Sequence, residues 1–139
     1  AIYQRGGKKH VETCLSFAVW FCQRLVDSCS TRQPRVTGKV AQSNPMNRMT
    51  WKRFSAHWSS DNILTLALEE ECFWKDPLGA ESLEILIHEA AHAMNMHHGY
   101  EFRKEVERLA GVAANLMLHK GPEIKRLFPA LQITASIAH

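Results

Sequence analysis

The sequence contains no CxxC pair, no internal repeat, no low-complexity tract and no apolar run long enough to cross a bilayer. Cys14, Cys22 and Cys29 instead fall in line with Val11, Ala18, Leu25 and Val26. That spacing describes buried thiols of one helix in a reducing compartment rather than a disulfide or zinc framework. Cys72 stands alone. The strongest apolar stretch, Leu15 to Cys22, is bounded by Glu12, Arg24 and Asp27 and is too short to span a membrane. No basic leader followed by a hydrophobic segment and a small-residue cleavage site opens the chain, so the expected location is intracellular, cytoplasmic or nucleoid/nuclear. Charge of one sign is also scarce: the net charge is +3, so any affinity for nucleic acid has to come from how the charges are distributed. With 139 residues, 45% of them apolar, the chain can bury one core, and a single domain over residues 1–139 is expected.

What is present is His88-Glu89-Ala90-Ala91-His92. On a helix, residues four apart share a face, so two imidazoles can reach one tetrahedral Zn²⁺ while the carboxylate between them stands beside the metal's open position. Zinc brings the pKa of a bound water toward neutrality, and Glu89 is the candidate general base for its attack on a carbonyl. This is the zincin signature, and peptide-bond hydrolysis is the reaction it suggests. In a chain this rich in histidine the pattern arises by chance with a probability of about 4%, so its surroundings must support it. They do: Leu83, Leu86, Ile87, Ala90, Ala91 and Met94 repeat with the period of a helix that buries one face. Asp76-Pro77 offers an N-cap and first turn, and Asn95 to Gly99 supplies residues that can close the helix.

A catalytic zinc takes three protein ligands. His97, His98, Glu101 and Glu105 follow closely enough to provide the third. His98 leads Gly99-Tyr100-Glu101-Phe102, and here the chain resembles the SprT-like (Spartan-like) metalloprotease domains, whose pattern is HExxH, a variable spacer, a His-Gly pair and an aromatic three residues after the glycine. That pattern reads here as His88, Glu89, His92, His98, Gly99 and Phe102. The short spacer between His92 and His98 also resembles that of the related WLM-type domains. The resemblance, which covers mainly residues 63–110, implies that His98 is the third ligand and Glu89 the base, with Zn²⁺ as cofactor. It further implies action on protein substrates that are bound or crosslinked to DNA. The four-Cys zinc ribbon that often follows the protease domain in this family is absent from the sequence.

Around the motif, helical periodicity runs from about His10 to Ser28. Strand signals cover Arg35 to Gln42, Met49 to Trp58 and Ile63 to Leu68, and a further helical stripe carries Phe102, Val106, Leu109, Ala110, Ala113 and Met117 before the stop signals His119-Lys120-Gly121-Pro122. The expected fold is α+β and zincin-like: an N-terminal helix, a small three-stranded sheet, the HExxH helix and a following C-terminal helix. Ile63 to Leu68 holds the place of a strand that pairs with an extended substrate, although its apolar character on both sides equally describes an interior strand. Tyr100 is a candidate oxyanion or substrate contact. Trp51, Lys52 and Arg53, with Arg48, Phe54 and Trp58, have the composition of a surface that stacks single-stranded DNA, and Arg5, Lys8, Lys9 and His10 form a second basic cluster.

The expected partner is a protein or peptide substrate, with single-stranded DNA as a candidate second partner and no membrane association. An alternative from another class is a zinc-stabilised module that binds nucleic acid or protein without catalysis, which Glu89 argues against because a structural site needs no base. A peptide deformylase is a weaker rival: Glu12-Thr13-Cys14-Leu15-Ser16 echoes its cysteine motif, but the Gly-rich motif with Gln is missing and Cys14 lies on an apolar stripe.

Overall fold

The computed structural model describes residues 7–28, 34–42 and 55–131. The first element is a helix, α1 (Gly7–Asp27), that buries Val11, Cys14, Phe17, Ala18, Phe21, Cys22, Leu25 and Val26 along one face. That face is the centre of the core. The Phe17 ring stacks on Trp20 and Phe21 and meets the edge of Phe128 at 5.6 Å. Aromatic packing of this kind adds about 0.5–1.5 kcal/mol per pair to plain area burial. Cys14 and Cys22 are buried and free, as their spacing predicts, and burial pushes the Cys14 thiol up to about 12. Cys29 lies outside the described residues.

Three short strands follow: β1 (Thr37–Ala41), β2 (Ala56–Trp58) and β3 (Ile63–Ala67). Their order in the sheet is β1-β3-β2, with β1 parallel and β2 antiparallel to β3. The strand predicted over Met49 to Trp58 is described only at its end, since residues 43–54 lie outside the described residues. The hairpin between β2 and β3 turns at Asn62, which has φ +60° and accepts a 3.3 Å bond from the Trp58 indole. Asparagine tolerates that left-handed conformation better than most side chains.

This topology corrects the reading of Ile63 to Leu68 as a substrate-pairing strand. β3 is the middle strand, its two edges are taken by β1 and β2, and Leu64 and Leu66 are fully buried. The apolar run on both sides of that segment reflects burial between layers, so an incoming peptide finds no free edge there.

α1 lies against β1 so closely that a Cβ on Gly38 would stand 2.4 Å from Val19 Cγ2 and 3.0 Å from Leu15 Cδ1. Gly38→Ala should therefore lower stability by about 1–3 kcal/mol through overpacking. Chemical denaturation measures this, and an unchanged midpoint would show that the two elements do not approach each other in this way.

Five helices are present among the described residues where the sequence suggested three. A short helix, α2 (Glu71–Lys75), precedes the motif helix and buries Phe73 and Trp74. The motif helix itself is α3 (Ala80–Ala91), and its N-cap is Gly79, not Asp76. Asp76 instead closes α2, and its carbonyl accepts bonds from the Gly79 amide at 2.9 Å and from the Ser82 hydroxyl at 2.7 Å. Next comes α4 (Tyr100–His119), which buries Phe102, Leu109 and Ala113. Gly121-Pro122 does stop α4, and it also opens α5 (Gly121–Leu127), where Pro122 occupies the first turn that suits proline. No helix among the described residues is long and apolar enough to cross a membrane. α1 packs on α3, and α3 packs on β2 and α4, so the C-terminal end of α3 meets the start of α4.

Candidate metal centre

The motif occupies the last turn of α3. His88 and Glu89 are helical, and His92 caps the C-terminus in right-handed backbone. The chain then turns through residues 93–99, with the Asn95 amide bonding back to the Ala91 carbonyl at 3.1 Å, and enters α4 at Tyr100. This short return brings His98 over the end of α3.

His88, His92 and His98 each place a ligand atom within 4.8 Å of the others. The Nε2 atoms of His92 and His98 stand 3.1 Å apart. Ligands bound at about 2.0–2.1 Å on a tetrahedral zinc are separated by roughly 3.3 Å, so this spacing suits one shared ion. His92 Nδ1 faces the Asn95 carbonyl at 3.2 Å; donation of Nδ1–H to it leaves Nε2 with its lone pair toward the cluster. Sequence reading missed this orienting contact, since a backbone carbonyl leaves no residue signature.

The three imidazoles share a floor. The Phe102 ring lies 4.9 Å from His88, 4.6 Å from His92 and 4.9 Å from His98, stacked on His92 and edge-on to the other two. The aromatic that the family pattern identified therefore has a physical role: it fixes three ring planes at once. Gly99, the other residue of the His-Gly pair, has ordinary extended backbone. Its φ is −100° and a Cβ there would meet nothing within 4 Å, so neither the turn nor the packing requires glycine.

Glu89 is 7% exposed, and its Oε2 is a buried oxygen with no hydrogen-bond partner. Burial raises its pKa to about 7. Three imidazoles converging on one point form a donor set that a cation satisfies, and the buried carboxylate oxygen left without a partner lies on the same turn of α3, so the residues present fit a metal site. Burial also lowers the pKa values of His88 and His92, and the neighbouring imidazoles lower them further. His57 of β2 is among the groups acting on His92, a residue that sequence reading did not single out. Neutral imidazoles are the form that binds metal.

The raised Glu89 pKa has a consequence for stability. The metal-free folded state holds this proton more tightly than the unfolded chain, whose carboxyl titrates near 4.5. Stability conferred by that proton is complete below pH 4.5 and is lost as pH rises toward 7, by up to about 3 kcal/mol. His88 and His92 act in the opposite sense, losing stability as pH falls through 6.5. Comparison of wild type with Glu89→Gln in chelator isolates the carboxylate: the variant should be more stable at pH 8, with the difference vanishing below about pH 4. A difference that does not vary with pH would contradict this.

The other candidate ligands stay outside the cluster. His97 is exposed and its amide bonds to Asn95 Oδ1 at 3.0 Å, Glu101 is exposed, and Glu105 pairs with Arg108 at 2.7 Å. Cys14 is not part of the cluster either; its sulfur faces His10 at 3.5 Å. Tyr100 is 64% exposed, with Lys104 Nζ 5.1 Å from its ring centroid.

Trp51, Lys52 and Arg53 lie outside the described residues, as do Arg48 and Phe54. Trp58 is 2% exposed and belongs to the core, so it offers no stacking face for a base. Of the N-terminal basic cluster, Lys8 and Lys9 are exposed on α1, while His10 turns inward to the Trp74 carbonyl. Arg5 lies outside the described residues.

A second group, Glu70, Cys72 and Glu81, also brings three ligand atoms together. Here Glu70 accepts a 2.6 Å bond from Ser55, and burial pushes the Cys72 thiol up to about 11. A retained thiol proton disfavours metal binding at that group. Searches against family models, curated proteins and solved structures find no match to this chain.

Proposed function

We propose that this chain is a zinc metallopeptidase of the SprT-like, zincin-like type that hydrolyses peptide bonds in protein substrates. The observation that carries the reading is the convergence of His88, His92 and His98 on one point, with the buried, partnerless oxygen of Glu89 on the same turn of α3. A purely structural zinc site would leave that carboxylate without a role. In the proposal His88, His92 and His98 hold the ion, with Phe102 and the Asn95 carbonyl fixing the imidazoles. Bound zinc supplies Lewis acidity toward the substrate carbonyl and acidifies a water.

Glu89 Oε2 accepts the proton of the attacking water and returns it to the nitrogen of the leaving amine. A carboxyl whose pKa is raised toward neutrality can both take and give that proton near pH 7. Because β3 is interior, an extended substrate pairs instead with the edge of β2 away from β3, which no described strand takes; β2 packs on α3 and carries His57. Tyr100 contributes from the first turn of α4, as a donor to the oxyanion or as a substrate contact. The extension to DNA-bound or DNA-crosslinked proteins rests on the family resemblance alone.

Hydrolysis of unfolded casein tests the reading. Cleavage should disappear on chelation and return with added zinc, and cleavage that persists in chelator would overturn it.

A further inference from the structure

Away from the histidine cluster, α1, the entry to β1 and the end of α5 enclose an open groove of about 620 Å³. That volume falls within the range of sites that hold a small ligand or a few side chains of a peptide. Val19, Trp20 and Phe128 form its apolar wall, Arg24 and Arg35 stand at it as cations, and no carboxylate lines it among the described residues. Arg24 lies over the Trp20 ring at 5.3 Å. An ion pair to Asp27 is 3.8 Å long and partly exposed, a contact that contributes little and is readily exchanged.

Val36, just before β1, and Gly38 of β1 also line the groove. β1 hydrogen-bonds to β3 along one edge, and no described residue pairs with the other. Gln23 fixes this stretch by accepting from the Val36 amide at 2.7 Å and donating to the Pro34 carbonyl at 2.9 Å. An unpaired strand edge beside an apolar wall recognises main chain and side chain together.

We propose that this groove docks an extended peptide segment of a protein partner, apolar with an acidic residue, laid along the outer edge of β1. Apolar side chains fill the space beside Trp20 and Phe128, the acid meets Arg24 and Arg35, and the peptide main chain pairs with β1. The edge favours a peptide over a lipid, which would satisfy the wall and the cations but leave the strand unpaired. The inference stands apart from the hydrolytic reading, which uses none of these residues.

The test is amide chemical-shift mapping of the full chain with a peptide alternating Glu with Leu and Phe, beside a control with Lys in place of Glu. The Glu peptide should shift Val19, Gly38 and Phe128 and leave His88, His92 and His98 unmoved, and the Lys peptide should bind at least about tenfold more weakly. Arg24→Glu with Arg35→Glu should weaken the Glu peptide by a similar factor. Arg35→Gln alone should weaken it less, which keeps the test valid if the double variant does not fold. Absence of binding, or shifts centred on the histidines, would overturn the proposal. So would equal affinity for both peptides, or decanoate binding in the groove where the Glu peptide does not. Tighter peptide binding by a chain ending at Leu131 than by the full chain would give the groove to residues 132–139 and overturn docking of a partner.

Discussion

Glu89→Gln should bind zinc as wild type does and hydrolyse casein roughly 10²–10⁴-fold more slowly. The amide is nearly isosteric with the carboxylate, and the three imidazoles owe their placement to α3, the return through residues 93–99 and the Phe102 floor, none of which involves the Glu89 side chain. What the variant loses is the oxygen proposed to take the proton. Metal affinity and folding therefore serve as internal controls, since Gln should also relieve the buried charge of the metal-free state. A Glu89→Gln protein that cleaves at the wild-type rate would remove the base from the mechanism. One that loses zinc would make Glu89 a ligand or a structural group instead.

His98→Ala should weaken zinc binding by at least about 100-fold, because removing one of the three proposed ligands sacrifices more than the 10–100-fold typical of an outer-shell partner. His97→Ala should change affinity little, since His97 lies outside the cluster. The neighbouring pair thus separates geometry from composition: two adjacent histidines have different expected effects. Competition with a chromophoric chelator measures both. Tight zinc in His98→Ala together with weak zinc in His97→Ala would mean that the loop folds differently around the metal.

The motif helix was legible because its signal is local. The stripe from Leu83 needs only the period of a helix, and Leu86, Ala90 and Ala91 are buried as that period requires, but Met94, read as part of it, lies beyond the end of α3 and is 47% exposed. α1 was legible for the same reason. The strands were located to within a few residues but their roles were not, because β3 becomes interior only through pairing with β1 and β2, which no local pattern encodes. Trp58 illustrates the same limit: beside Arg48, Lys52 and Arg53 it resembles part of a nucleic-acid surface, yet pairing of β2 on β3 turns it into the core.

Helix ends misled in another way. Asp76 has the side chain of an N-cap, but here its carbonyl does the bonding and it terminates α2. Gly121-Pro122 reads as a stop although the same pair can also open a helix. At the site, spacing gave His88, Glu89 and His92 directly. The choice of His98 over His97 came from the family resemblance, and the structure brings His98 to the cluster. Phe102 as a common floor and the Asn95 carbonyl as an orienting acceptor emerge only in three dimensions.

Zinc titration of the metal-free chain, with casein hydrolysis and bound metal followed in the same samples, tests the central claim most directly. The account predicts that hydrolysis rises in proportion to bound zinc and stops rising when each chain holds one ion. Zinc that binds tightly at one per chain without producing any hydrolysis would contradict it and leave His88, His92 and His98 as a structural metal site.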